Sequence, residues 1–154
     1  WLTEEAGFDH AIDYKNESVP QRLAELCRNK INIYFDNVGG EILDHALLNL
    51  AQGARVVLCG GISSGYGTVA TPGPSNYMQL VIRSCRMEGF LVLSYAKQFP
   101  EAVEQLQQWV NKGDIVFQED IQQGLENAPL TLRRLFEGKN IGKQLLQIAE
   151  AEPK

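Results

Sequence analysis

Two glycine-rich segments of the sequence combine small residues with polar side chains that could hold a ligand. The first, residues 37–40, joins the amide of Asn37, which both donates and accepts hydrogen bonds, to two glycines that permit a close backbone approach. The second, residues 59–65, carries two serine hydroxyls that could line a ribose or a nicotinamide. Glycine and asparagine also dominate ordinary turns, so residue type and spacing alone leave open both a ligand site and a structural turn.

Few other side chains in the sequence are of a type and in a setting suited to catalysis. Cys59 could act as a nucleophile, but no histidine lies near it in the sequence, and a small buried thiol is the alternative. His10 is predicted to lie in a turn and His45 on the solvated side of a helix, which gives neither a catalytic role. Tyr66 lies within a long loop, where its phenol could donate a proton to a substrate or pack against the loop.

Apolar periodicity predicts strands and helices that alternate at short intervals. Strands are predicted at residues 31–38, 54–59, 88–94, 115–121 and 143–149, and helices at residues 1–6, 19–27, 41–50, 77–83, 100–112 and 130–136. Such alternation is typical of an α/β fold in which helices flank a mostly parallel sheet. Ligands of such sheets bind beyond the carboxyl ends of the strands, which directs attention to residues 37–40, 60–65 and 90–92.

The composition excludes several functional classes. The chain has 154 residues, of which 44% are hydrophobic, enough for the core of one globular domain. Its 14 basic and 19 acidic residues give a net charge of −5 without a basic stripe, so nucleic acid is not an expected partner. No run approaches the roughly 20 apolar residues of a membrane span. Three widely spaced cysteines without a CxxC pair suit reduced thiols in the cytoplasm.

Six segments of the chain, taken together and in this order, resemble one enzyme family. They are similar to the C-terminal part of the NADP-dependent, zinc-independent alkenal/one oxidoreductases of the medium-chain dehydrogenase/reductase superfamily, which include prostaglandin reductases. The glycine fingerprint that normally opens a dinucleotide-binding fold does not occur in the chain. The similar segments are GFDHAIDYKNE (7–17), IYFDNVGGEILD (33–44), ARVVLCGGIS (54–63), RMEGFLV (86–92), GLENAP (124–129) and EGKNIGKQL (137–145).

The resemblance implies a fold, a cofactor and a reaction. The fold would be a partial Rossmann-like α/β domain, with residues 1–113 as the second half of the dinucleotide-binding domain and residues 114–154 as a segment returning to a catalytic domain. The cofactor would be NADPH, which delivers hydride to the β-carbon of an enone or enal. The family's pyrophosphate loop and 2′-phosphate lysine would precede Trp1, so we expect the chain alone to bind NADPH weakly or not at all and to be inactive.

The resemblance also assigns cofactor contacts to particular residues. Tyr14 would pack at the adenosine end and Asn37 near the ribose, and Asn140 would close over the nicotinamide. Family members often carry a tyrosine where this chain has Gly65, so Tyr66, one residue later, is the candidate for that catalytic position. The nicotinamide side would be formed by Cys59, Gly60, Gly61, Ile62, Ser63, Ser64 and Gly65 and backed by Phe90, Leu91 and Val92.

The partners expected from the resemblance are a small enone or enal substrate and a second copy of the chain. Family members are commonly dimeric, and the strand predicted at residues 88–94 would form the dimer edge. No metal site is expected, because only two histidines are present. Two alternatives stay open: an NADPH quinone oxidoreductase of the same superfamily, and a non-catalytic module that uses the fold for nucleotide binding or interaction.

Overall fold

The computed structural model describes residues 1–28, 30–64 and 72–150, which form two compact units. The larger unit comprises Phe8–Pro100, and the smaller unit comprises Trp1–Gly7 together with Glu101–Lys154. Each unit contains a parallel sheet with helices beside it. The predicted α/β class, with parallel strands and flanking helices, is confirmed. The predicted functional division after residue 113 concerns a longer polypeptide and stays a prediction.

The larger unit has a three-stranded parallel sheet and three helices. In chain order the elements are α1 (Val19–Leu26), β1 (Ile31–Asp36), α2 (Gly40–Leu48), β2 (Leu50–Leu58), α3 (Met78–Ile82) and β3 (Arg86–Gly89). The strand order in the sheet is β1-β2-β3. Asp36 lies opposite Leu58, which in turn lies opposite Gly89, so the three strands end level with one another. Whatever follows each strand therefore meets at one edge of the sheet.

The core of the larger unit lies between α2 and β2. Helical spacing places Leu43, Ala46 and Leu47 on one face of α2, and all three are buried. Leu43 and Leu47 pack against Leu50 and Val56 of β2. Full burial of each leucine contributes about 1.5–3 kcal/mol to folding. This packing fixes α2 against the sheet and so places its first residue next to the carboxyl end of β1.

The smaller unit is built around a second parallel strand pair. Its elements are most of α4 (Phe99–Lys112), then β4 (Glu119–Gln123), α5 (Ala128–Phe136) and β5 (Lys143–Gln147). The helix α5 connects β4 to β5, as a parallel pair requires, and its Thr131 is buried. Across the described ranges, no helix of either unit is long and apolar enough to cross a membrane.

The strand predicted at residues 88–94 is only partly correct. The structure ends β3 at Gly89 and places a 3₁₀ segment at Val92–Gln98. The cause is the length of the neighbouring strand, because β2 ends at Leu58 and the carbonyl of Leu58 accepts the amide of Phe90 at 2.8 Å. The sheet offers no ladder partner beyond that bond. Phe90, Leu91 and Val92 therefore lie past the strand that was expected to contain them, despite their apolar side chains.

Two other predicted elements have different forms or limits. Residues 1–6 form a hydrogen-bonded turn instead of a helix, in which the amides of Glu5 and Ala6 both donate to the carbonyl of Trp1 at 3.0 Å. The strand predicted at residues 115–121 begins only at Glu119, where β5 supplies the first partner, Lys143. In both cases the sequence predicted a longer or more regular element than the backbone hydrogen bonds form.

Candidate functional site

The carboxyl ends of β1 and β2 lead into two turns that lie against each other, the first turn (residues 37–40) and the second turn (residues 60–63). Three hydrogen bonds run from the second turn to carbonyls of the first. The amide of Ile62 donates to Asn37 O at 3.2 Å, and the amide and hydroxyl of Ser63 donate to Val38 O at 3.0 and 2.5 Å. The two glycine-rich segments therefore form one structure at the sheet edge where α/β folds bind ligands.

The glycines of the two turns are required by the contact between them. Gly39 and Gly40 have φ angles of 69° and 58°, a region that residues with a Cβ rarely adopt. A Cβ on Gly40 would lie 2.8 Å from Ser63 Oγ, and a Cβ on Gly60 would lie 3.2 Å from Asn37 O. The close backbone approach expected from these glycines thus occurs between the turns themselves.

A buried carboxylate outside the predicted set holds the first turn. Asp36, the last residue of β1, is 1% exposed. Its Oδ1 accepts the amides of Val38 and Gly39 at 3.0 Å and the hydroxyl of Tyr34 at 3.1 Å, and its Oδ2 accepts the Gly39 amide at 3.1 Å. The signal in the sequence is an aspartate directly before turn residues, since such side chains bond to amides two or three positions on.

The phenol beside this carboxylate stays protonated. Tyr34 is half-buried on β1 and donates its hydroxyl to Asp36. Burial, and then the charge of Asp36, raise the pKa of Tyr34 well above its ordinary value of 10. The hydroxyl of Tyr34 therefore serves as a hydrogen-bond donor to Asp36 and is poorly suited to act as an acid toward a substrate.

A cavity of about 610 Å³ lies beside the first turn. Two of the predicted cofactor residues, Tyr14 and Ser63, line this cavity. Val38, which directly follows the predicted residue Asn37, lines it as well. His45 also lines it and is partly exposed, so the prediction of a solvated side chain is only partly correct. The start of α1 contributes Val19 and Pro20 to the same lining. The complete set of described lining residues is Tyr14, Glu17, Val19, Pro20, Val38, Gly39, Gly40, Glu41, Ile42, His45 and Ser63.

Other predicted residues of the larger unit lie at the same strand ends but outside the described lining of this cavity. Asn37 is exposed in the first turn, and Gly61 and Ile62 are exposed in the second. Gly60 lines a separate cavity of about 340 Å³ on the Asp36 side of the turns. The structure thus groups the predicted contacts along one sheet edge and divides them between two faces of the paired turns.

Three predicted positions around the second turn need separate comment. Cys59 is exposed, so the interpretation as a buried thiol is wrong, because β2 ends one residue before it. Ser64 ends the 3₁₀ turn Ile62–Ser64. Gly65 and the proposed proton donor Tyr66 lie outside the described residues.

An aromatic group follows the end of β3. The ring of Phe90 stacks on Tyr95, with centroids 5.3 Å apart, and meets the edge of Phe35 of β1 at 6.0 Å. Leu91 and Val92, the other two residues expected to back a nicotinamide, are exposed. Phe90 thus contributes an aromatic surface at the sheet edge from outside the strand.

The last predicted contact, Asn140, lies in the smaller unit, in a loop at residues 139–142 that precedes β5, the Asn140 loop. Its side-chain amide donates to Gly142 O at 2.8 Å. Asp120 of β4 anchors the loop by accepting the amide of Ile141 at 3.3 Å and a guanidinium N–H of Arg134 at 2.9 Å. Arg134 also donates to the carbonyl of Lys139 at 3.2 Å. Hydrogen bonds from Gln122 and Arg134 lower the pKa of Asp120.

Comparison with known proteins decides the family. A family model described as Zinc-binding dehydrogenase matches residues 2–108, more than half of the chain. The chain belongs to this family. Within the described ranges of the chain, no group of three or more His, Cys, Asp or Glu residues is placed to hold a metal ion.

Curated relatives extend the match to almost the whole chain. A 2-alkenal reductase (NADP(+)-dependent) of Nicotiana tabacum is 40% identical over 149 residues, which cover 96% of this chain and 43% of the relative. The NADPH-dependent curcumin reductase of Escherichia coli is 36% identical over 152 residues, which cover 96% of this chain and 44% of the relative. The chain therefore spans less than half the length of the curated relatives it matches.

Crystal structures of CurA from Vibrio vulnificus share the fold of this chain. One matches with a TM-score of 0.85 and 38% identity, over 98% of this chain and 46% of that chain. The complex with NADPH matches with a TM-score of 0.83 and 36% identity, over 97% and 46%. The resemblance to the C-terminal part of NADP-dependent medium-chain reductases is confirmed.

Proposed function

We propose that the complete protein containing this chain uses NADPH to reduce the C=C bond of α,β-unsaturated ketones or aldehydes. The observation that carries the proposal is the pair of interlocked turns beside a cavity lined by Tyr14 and Ser63. The family resemblance places NADPH contacts at these residues, and a structure of CurA in complex with NADPH matches nearly the whole chain. Relatives named for 2-alkenal and curcumin reduction support an enone or enal as the hydride acceptor.

The residues of the larger unit suit the parts of a dinucleotide. The exposed ring of Tyr14 offers a flat surface to the adenosine end, and the exposed amide of Asn37 offers a donor and an acceptor to ribose hydroxyls. The second turn presents small residues and the Ser63 hydroxyl to the nicotinamide side. NADPH, when bound, supplies the hydride that adds to the β-carbon of the substrate. The family resemblance also assigns a contact with the cofactor to Asn140.

The proposal includes a division of labour along the complete polypeptide. Residues 1–113 would form the second half of the cofactor domain, and residues 114–154 would belong to the catalytic domain. None of the described residues that line the large cavity is a lysine or arginine, whereas Glu17 and Glu41 are acidic. Lysine and arginine form the strong charge-assisted hydrogen bonds to phosphate, so those cationic donors would come from outside this chain.

A binding experiment on the 154-residue chain tests this division. We expect isothermal titration with NADPH to give no dissociation constant tighter than about 0.1 mM. The complete polypeptide, titrated under the same conditions, serves as the control and should bind in the micromolar range. Micromolar binding by the chain alone would overturn the division.

The homodimer is proposed on the position of β3. In the described three-stranded sheet, β3 pairs with β2 on one side only, which leaves its other side free for a second copy. Light scattering on the complete protein should give twice the monomer mass. A monomer at micromolar concentration would contradict the dimer without affecting the proposed reaction.

The reaction itself is tested with the complete protein, NADPH and two kinds of acceptor. We expect NADPH oxidation with a simple enone to be faster than with a quinone, and deuteride from NADPH labelled at the reactive carbon to appear at the β-carbon of the product. Faster turnover of the quinone would favour the quinone oxidoreductase alternative. Binding of NADPH without reduction of either acceptor would favour a non-catalytic module.

A further inference from the structure

The carboxylate of Asp36 is balanced by neutral groups alone. It is almost completely buried, and its three donors are the amides of Val38 and Gly39 and the phenol of Tyr34. None of the ion pairs among the described residues includes it. Burial of a carboxylate is costly unless hydrogen bonds replace its lost hydration, so the donors around Asp36 are needed to keep it in place.

The hydrogen bonds of Asp36 fix the direction of two peptide groups. In a trans peptide the N–H and C=O point in opposite directions. Because the amide of Val38 points at Asp36, the carbonyl of the same peptide, Asn37 O, points away and accepts the amide of Ile62. Because the amide of Gly39 points at Asp36, Val38 O points away and accepts the amide and hydroxyl of Ser63.

The main chain of Asp36 takes part in the same connection. Its carbonyl accepts the amides of Cys59 at 2.8 Å and Gly60 at 3.1 Å, where β2 leads into the second turn. Asp36 thus orients the first turn through its side chain, and its backbone carbonyl accepts hydrogen bonds from the residues that lead into the second turn. We infer that Asp36 is a positioning residue that couples the two turns and sets the arrangement in which they receive NADPH.

This inference rests on the proposed function for its cofactor, whereas the coupling is a property of the chain itself. Amide hydrogen exchange on the 154-residue chain tests the coupling. Asp36→Ala removes every acceptor of the side chain, and Asp36→Asn can keep an oxygen at the Oδ1 position, which makes three of the four contacts. Tyr34→Phe is the matched control, because it removes the phenol donor and leaves both amide contacts.

Exchange at Ile62 and Ser63 is the informative readout, since neither residue touches the Asp36 side chain. We expect it to accelerate about tenfold or more in Asp36→Ala, about threefold in Asp36→Asn, and less than twofold in Tyr34→Phe. Should Asp36→Ala fail to fold, Asp36→Asn decides the matter. Wild-type exchange at both amides in the folded variants would overturn the coupling.

Kinetics of the complete protein test the consequence for NADPH. We expect Asp36→Ala to raise the KM for NADPH about tenfold, with kcat at saturating NADPH changed less than threefold, and Asp36→Asn to restore most of the KM. A fall in kcat with an unchanged KM would overturn the positioning role. If neither an enone nor a quinone supports NADPH oxidation by the wild-type protein, the proposed function fails. The exchange experiment would still decide the coupling.

Discussion

The first turn and the Asn140 loop each carry an asparagine predicted to contact the cofactor, and each is held by an aspartate from a nearby strand. The two aspartates are balanced in different ways. Asp36 is 1% exposed and receives only uncharged donors. The Asp120 side chain is 15% exposed and forms an ion pair with Arg134 at 2.9 Å.

The difference shows two ways to fix a loop with one carboxylate. Around Asp36 the amides of the turn are the main donors, so the backbone of the loop itself offsets the charge. Around Asp120 a flexible, partly exposed side chain supplies the opposite charge and also binds the loop carbonyl of Lys139. The first arrangement should resist salt, and the second should respond to it.

Glycine substitutions should give the largest contrast between the two loops. A Cβ on Gly142, at φ 74°, would overlap the backbone carbonyl of Gln118, whereas a Cβ on Gly40 meets the Ser63 hydroxyl, which can rotate away. We expect Gly142→Ala to lower the free energy of unfolding by more than about 3 kcal/mol and Gly40→Ala by about 1–2 kcal/mol. Urea unfolding measures both, with Gly89→Ala as control because a Cβ there has no neighbour within 4 Å. Equal losses would contradict the contrast.

Removal of the two carboxylates should give the next largest effect. Asp36→Ala leaves two amides and a phenol without their acceptor in a buried place, and we expect a loss of about 3 kcal/mol in the free energy of unfolding. Asp120→Ala should cost clearly less, because Arg134 can turn toward solvent. The same urea series measures both variants. A greater loss for Asp120→Ala would reverse the comparison.

Alkaline pH should lower the free energy of unfolding through Tyr34, whose hydroxyl donates to Asp36. The pKa of Tyr34 is raised in the folded chain, so above its ordinary value of 10 the unfolded chain releases a proton that the folded chain keeps. The stabilising contribution is therefore complete below about pH 10 and is lost as the pH rises further. Thermal unfolding should show a steeper alkaline loss in the wild type than in Tyr34→Phe, and identical profiles would refute this.

Acid and salt should have the smallest effects, and these effects should appear in the Asn140 loop that Asp120 anchors. The pKa of Asp120 is lowered by hydrogen bonds from Gln122 and Arg134, so its contribution is present above the ordinary value of 3.8 and is lost as the pH falls below it. High salt should weaken the pair with Arg134 at neutral pH. Hydrogen exchange at Ile141 reports both effects, with Arg134→Gln as the variant that should lose the salt dependence. The amide of Gly39 should keep its protection at high salt.

The sequence was sufficient for most of the helices and strands and for the edge of the sheet that carries the site. The glycines and polar side chains at residues 37–40 and 59–63 follow strands that apolar runs define, so their meeting follows from parallel topology. The end of β3 could not be predicted, because it depends on where β2 stops and not on the apolar residues after Gly89. The exposure of Cys59 has the same cause.

The anchoring carboxylates were harder to find for a different reason. Asp36 is one polar residue at the end of an apolar strand, and its importance comes from the direction of peptide groups that contact residues more than twenty positions away. Asp120 is likewise an ordinary acid until α5 brings Arg134 and the Asn140 loop to it. Local pattern indicates such residues only as turn formers, since their partners are set by tertiary structure.

The interlocking of Gly40 with Ser63 also has a consequence for protein engineering. The two turns fit closely because Gly40 lacks a Cβ and Ser63 has a small side chain, so the size of one residue limits the size of the other. A designer who wishes to transfer this pair of turns to another parallel sheet should move residues 36–40 and 59–63 together. Libraries that randomise positions 40 and 63 jointly should return residues larger than glycine at position 40 mainly together with glycine or alanine at position 63.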